Sequence, residues 1–139
     1  MNINVNDEIL SSDTAYQEFL RTNTSTATLK IRASAASQAL PVSGVNIVVS
    51  KEIGNNNIIF FEGVTDDSGM INNIVLPAPQ LNPNDEVAPT LINYTVKATY
   101  PQDNLNKEYK VTLYGGTSAI QYIFLSPNVS LEERDLYGS

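Results

Sequence analysis

Histidine, cysteine and tryptophan are all missing from this chain of 139 residues. Without histidine or cysteine, Ser-His-Asp and Cys-His catalysis, imidazole base catalysis and zinc sites built on imidazole or thiolate cannot be assembled. A disulfide framework is excluded too. Basic residues are scarce: 8 Lys and Arg against 15 Asp and Glu give a net charge of −7. Such a surface is repelled by a phosphate backbone and by anionic lipid, so neither a nucleic-acid nor a membrane partner is expected. No apolar run reaches the roughly 20 residues of a spanning helix. The stretch Met1 to Glu8 lacks the basic flank and apolar run of a signal peptide, so the product is expected to be made in the cytoplasm without one.

Paired carboxylates are the remaining route to catalysis, as in glycoside hydrolysis. Here the acidic residues fall mostly in turns and tails: Asp66, Asp67, Asp85, Glu86, Asp103, Glu132, Glu133 and Asp135. Such positions carry solvated charge by default, and no enzyme is expected. Asp66 and Asp67 could offer oxygens to calcium, but the alternating ligands and terminal bidentate Glu of an EF-hand are absent. They read as a polar turn in which Gly69 supplies a permissive backbone. No metal or cofactor is expected.

What is present suffices for one modest core. Hydrophobic residues make up 42% of the chain and charged ones 17%, with seven Tyr and four Phe among the aromatics. Three regions follow: an N-terminal arm over 1–25, a strand-rich body over 26–127 and an acidic tail over 128–139. In the arm, Thr14 and Gln17 have capping-box spacing, and Tyr16, Phe19 and Leu20 share one helical face, which predicts a short helix near 13–21.

From residue 26 the period is two. Ala27, Leu29, Ile31 and Ala33 alternate with polar neighbours, as do Val45, Ile47 and Val49, and later Tyr94, Val96, Ala98 and Tyr100. Further strands are predicted over 58–64, 71–76, 109–113 and 120–125. Between them lie Gly54-Asn55-Asn56-Asn57, Thr65 to Gly69, a proline-rich crossing loop over 77–90, Pro101 to Asn104 and Gly115-Gly116. Pro77 and Pro79 are expected to stop the fourth strand, and Pro127 the body. The fold class is therefore all-β, a seven-stranded antiparallel Ig-like β-sandwich with a short helical arm. Its expected core is Leu29, Ile31, Val45, Ile47, Val49, Phe60, Val96, Val111, Leu113, Ile120 and Phe124.

Pro41-Val42-Ser43-Gly44-Val45-Asn46-Ile47-Val48-Val49 resembles the P-x-x-G-a-x-V-x-V segment of carboxypeptidase-regulatory-like domains, which have a transthyretin-like fold. Thr65-Asp66-Asp67-Ser68-Gly69 is similar to their T-D-x-x-G turn. The likeness covers about residues 26–127. Leu76-Pro77-Ala78-Pro79 and Ser118-Ala119-Ile120-Gln121 resemble, more narrowly, versions from spore-forming Gram-positive bacteria and their phages. There the domain is an accessory part of spore cell-wall hydrolases or a piece of phage-like particles, so the resemblance implies a structural or binding module and transfers no activity. Tyr137-Gly138-Ser139 resembles the Tyr-Arg-Gly-Ser end of hydroxyisourate hydrolases, but the Arg is absent there and the chain has no histidine.

Two functions follow as expectations. The first is a structural or decoration subunit of a phage tail, phage-like particle or spore-associated structure, in a homo- or hetero-oligomeric assembly. The alternative is a binding module for cell-wall glycan beside a separate peptidoglycan hydrolase. Strands 58–61 and 119–125 are apolar on both faces and so need cover on both. That cover is expected from the N-terminal helix, a neighbouring loop or another chain. The expected partner-contact residues are Ile3, Val5, Tyr16, Phe19, Leu20 and Tyr114, with the arm docking on a neighbouring subunit or folding back on its own sandwich. Tyr114 lies out of phase with Val111 and Leu113, which makes it the expected exposed aromatic and sugar-stacking candidate.

Overall fold

The computed structural model describes residues 14–35, 40–80 and 91–125. Helix α1 spans Thr14–Thr22, and eight strands follow: β1 (Ser25–Ala35), β2 (Leu40–Pro41), β3 (Asn46–Ile53), β4 (Asn56–Val64), β5 (Met70–Ala78), β6 (Ile92–Tyr100), β7 (Leu105–Leu113) and β8 (Ser118–Phe124). A single 3₁₀ turn, Pro101–Asp103, leads into β7 with Asn104 in the left-handed region.

The strands form two sheets. One is ordered β4-β3-β6-β7; the other has β1 at its centre, with β5 and the short β2 paired to it and β8 beside it. The strand predictions agree with these elements, with three differences. The two-residue β2 is an eighth strand beyond the seven expected. β5 continues through Pro77 to Ala78 instead of stopping, because among the described residues β5 pairs only with β1 and proline is tolerated on such an edge. The pairing is antiparallel throughout except for β1 with β8, which is parallel. β8 follows β7 by crossing from one sheet to the other, so no hairpin fixes its direction.

The core lies between the sheets. Leu29 and Ile31 of β1, Val45, Ile47 and Val49, Leu76, Val96 and Leu113 are fully enclosed. Each such side chain contributes about 1.5–3 kcal/mol relative to exposure. Phe60 joins this core partly buried, its ring 5.3 Å from Tyr94 and 5.7 Å from Phe19. Ile120 and Phe124, expected inside, are instead 49% and 44% exposed. The parallel register sets Ala119, Gln121 and Ile123 beside Leu29, Ile31 and Ala33. Residues in register share a face, so Ile123 points inward and Ile120 and Phe124 point out.

α1 closes one end of the sandwich. Phe19 is buried in the core, and Tyr16 packs against the core with its ring 6.3 Å from that of Phe19. Of the expected contact residues, Phe19 is thus enclosed by its own domain and Tyr16 lies partly buried beside it. The reason is the aromatic chain Phe19–Phe60–Tyr94, which gives a helix too short to be stable alone a surface to rest on.

The two segments that resemble carboxypeptidase-regulatory-like domains meet in space. Thr65 is buried; its hydroxyl donates to the Val42 carbonyl at 2.8 Å and accepts from the Val45 amide at 3.0 Å. The Thr65 amide in turn donates to the Val45 carbonyl, and Gly44 donates to Thr65. Gly69 carries φ +74 and lies so close to the Ala33 carbonyl and the Val42 amide that no Cβ fits there.

Candidate docking surface

Ile120, Tyr122 and Phe124 stand in line along the outer face of β8. They are 49%, 38% and 44% exposed, and the Tyr122 and Phe124 rings stack at 5.9 Å and 1°. β8 contains no charged residue. β1 contributes the adjoining row: Lys30 lies in register with Ile120, Arg32 with Tyr122 and Ser34 with Phe124. On the other flank of β1, Val75 of β5 is also exposed.

β8 is an edge. Among the described residues its only strand partner is β1. The Thr117 carbonyl accepts from Thr28 and the Leu125 amide donates to Ser34, so the odd-numbered residues point their main-chain groups at β1. Main-chain groups alternate in direction along a strand, so those of Ile120 and Tyr122 face away from β1. Lys107 of β7 reaches the Phe124 carbonyl at 3.5 Å, which marks where the rim of the other sheet meets this edge. The Tyr122 carbonyl accepts from the Gln121 side chain at 3.0 Å, a local bond that an incoming strand could replace, and an apolar edge of this kind suits pairing with an extended segment.

The expected contact residues are distributed differently. Leu20 is 39% exposed on α1, away from its buried neighbour Phe19. Tyr114 is half-buried in the β7–β8 connection, where its carbonyl accepts from the Thr117 amide at 3.1 Å. Tyr122, not Tyr114, is thus the exposed tyrosine beside an apolar stripe. Ile3 and Val5 lie outside the described residues. Ile120 and Phe124 were assigned to the core because β8 is apolar in both phases.

A second, polar depression of about 490 Å³ lies on the other sheet, lined by residues that include Lys51, Asn57, Asn93, Lys97, Glu108 and Lys110. The Lys51 ammonium donates to the Asn93 carbonyl at 2.9 Å, and the Thr112 hydroxyl donates to the Asn93 side chain at 2.7 Å. Burial lowers the Lys51 pKa from its ordinary value, and the charge of Lys110 lowers it further. No aromatic side chain lines this depression.

The carboxylate of Asp66 is engaged by its own turn. One of its oxygens accepts from the Ser68 and Met70 amides, each at 2.9 Å. Among the described residues no cluster of three or more Asp or Glu could hold a metal ion, and no helix is long and apolar enough to cross a membrane.

No family model matches the sequence, and no curated protein matches it either. Solved structures do match. A shaft pilin mutant of Lactobacillus rhamnosus GG shares 16% identity over 73% of this chain and 48% of its own, with a TM-score of 0.55. The 5-hydroxyisourate hydrolase of Klebsiella pneumoniae shares 14% identity over 73% of this chain and 85% of its own, with a TM-score of 0.48. Transthyretin from Sparus aurata shares 19% identity over 70% of this chain and 90% of its own, with a TM-score of 0.46. The chain spans about half the length of the pilin. At such identities a likeness concerns architecture and carries no activity across. The chain folds as an all-β sandwich, an architecture it shares with the shaft pilin.

Proposed function

We propose that the chain is a non-catalytic structural or decoration subunit of a larger assembly, held there by protein–protein contacts. The observation that carries this reading is the stripe Ile120, Tyr122 and Phe124 on an uncharged, open-edged strand. Three large apolar side chains in a row, on a strand with one side turned away from its sheet, have the chemistry of an interface. The residue types at hand support a non-catalytic role, since histidine and cysteine are both missing. The resemblance to domains of spore-forming bacteria and their phages supports a phage tail, a phage-like particle or a spore-associated structure as the assembly. Synthesis in the cytoplasm and direct incorporation there fit that setting.

Mass spectrometry of purified particles or spores tests this reading. The expected result is the chain at a fixed copy number relative to a major structural protein. Its absence from every such particle, with the protein recovered free, would overturn the proposal.

The polar depression on the other sheet favours a second reading, a module that binds a hydroxylated cell-wall glycan beside a separate hydrolase. Its amides, hydroxyls and ammonium groups can donate to sugar oxygens. Pull-down on purified peptidoglycan separates the two: retention abolished by Asn93→Ala supports the glycan reading, and no retention leaves the assembly reading alone.

A further inference from the structure

We infer that the open edge of β8 receives residues 1–13 of a second copy of this chain as an added strand. This inference rests on the assembly reading above and names the partner surface within it. The receiving side has a defined pattern. Ile120, Tyr122 and Phe124 present their side chains on one face, and the main-chain groups of Ile120 and Tyr122 point away from β1. An incoming extended segment can pair with those groups, displacing the Gln121 side chain from the Tyr122 carbonyl, and lay alternate apolar side chains beside the stripe.

Residues 1–13 have the matching pattern. Asn2-Ile3-Asn4-Val5-Asn6 alternates polar and apolar, which in a strand sets Ile3 and Val5 on one face. Charge complements shape. The receiving surface is flanked by Lys30, Arg32 and Lys107, whereas residues 1–13 carry Asp7, Glu8 and Asp13 and no Lys or Arg. Opposite charges across such a boundary guide association and fix register. Pairing β8 with the β8 of another copy would instead bring the Lys107 side chains of both copies to one boundary, with no acidic residue on β8 to meet them. That arrangement costs energy.

Length and attachment favour a second copy as the donor. β8 has seven residues, so a strand of that size leaves about six residues of the arm as a link, roughly 20 Å when extended. α1 holds the end of the arm through Phe19 against Phe60 of β4. β4 is the rim of its sheet opposite β7, while β8 lies beside β7. The helix that residues 1–13 run into is thus anchored through Phe19 at the rim away from β8, so a chain's own arm would have to cross the body to reach that edge, whereas a second copy's arm would not.

The chain has no cysteine, which makes a crosslinking test clean. Full-length chains carrying Val5→Cys and Tyr122→Cys are mixed in equal amounts and oxidised, with Asn57→Cys replacing Tyr122→Cys as the control on the other sheet. The expected product is a mixed dimer with one chain of each kind, at least tenfold above the control and reduced by high salt. In the double variant Val5→Cys/Tyr122→Cys, closure within one chain at high dilution would overturn the inference in favour of the chain's own arm. A predominance of Tyr122→Cys homodimers would overturn it in favour of β8–β8 pairing. Yields at the control level throughout would overturn it outright. Presence in particles without the crosslink would refute the arm and spare the assembly reading; the crosslink without particles would do the reverse.

Discussion

Tyr94 donates its phenolic hydrogen to the main-chain oxygen of Pro77, joining β6 of one sheet to β5 of the other. The ring around that hydroxyl is buried and meets Phe60 edge-on. Tyr94→Phe keeps the ring and removes the bond, leaving the Pro77 oxygen without this donor. The expected cost is about 1–2 kcal/mol in urea unfolding. A midpoint unchanged from wild type would show that the bond contributes nothing.

Alkaline pH should weaken the fold. Burial raises the pKa of Tyr94, with a smaller contribution from Tyr16, and burial raises that of Tyr109. Both phenols hold their protons more tightly folded than unfolded. Their contribution is complete below the ordinary tyrosine value of about 10 and is lost as pH climbs from there through the raised folded values. Melting temperatures measured between pH 8 and 12 should fall above about pH 10, and Tyr94→Phe should flatten that fall.

Core and surface on β8 can be told apart by truncation. Ile123→Ala should cost about 2–5 kcal/mol, as should Leu29→Ala on the neighbouring strand. Ile120→Ala should change the stability of the isolated domain by less than about 1 kcal/mol, since its side chain is half in solvent. Reversal of that order would invert the face assigned to β8.

The reason this face escaped the sequence lies in its composition. β1, β3 and β6 announce their inner faces, because Leu29 and Ile31, Ile47 and Val49, and Val96 and Ala98 alternate with polar residues. In β8, Ala119 and Ile123 compete with Ile120, Tyr122 and Phe124, and the larger set faces out. Its phase is set by parallel pairing with β1, a contact that no local pattern records. Pro77 misled similarly: it reads as a stop unless the strand is known to lie on an edge. The short helix near Thr14 was legible from its spacing, but not the destination of Phe19, which depends on Phe60 and Tyr94.

Phe19→Ala should loosen α1 from the sandwich. Loss of a buried ring that touches two other aromatics is expected to cost about 3 kcal/mol. Circular dichroism should show the strands retained, and hydrogen exchange should quicken over Thr14–Thr22 alone. Equal quickening across β3 and β6 would mean that the helix is integral to the whole fold.

Gly69→Ala should be more damaging than a surface methyl group normally is. Its positive φ strains an L side chain, and the new Cβ would strike the Ala33 carbonyl. A loss of about 2 kcal/mol or more in thermal unfolding is expected, whereas Gly116→Ala, with open space around it, should cost only the φ strain of about 1 kcal/mol. Equal losses would remove the role given to the close approach.

The neighbourhood of β1 and β8 also governs when this molecule can fold. Thr28 and Ser118 sit side by side although one belongs to the first strand and the other to the last. A nascent chain emerging from the ribosome can close the β3–β4 and β6–β7 hairpins early. The central strand of the other sheet must wait with one flank bare until nearly the whole body has been made. Contacts so distant along the chain form slowly, and the waiting intermediate shows an unpaired strand to whatever is nearby. The slow step in refolding should therefore be the arrival of β8, and ribosome-bound chains ending before Ser118 should be the ones that chaperones or proteases capture.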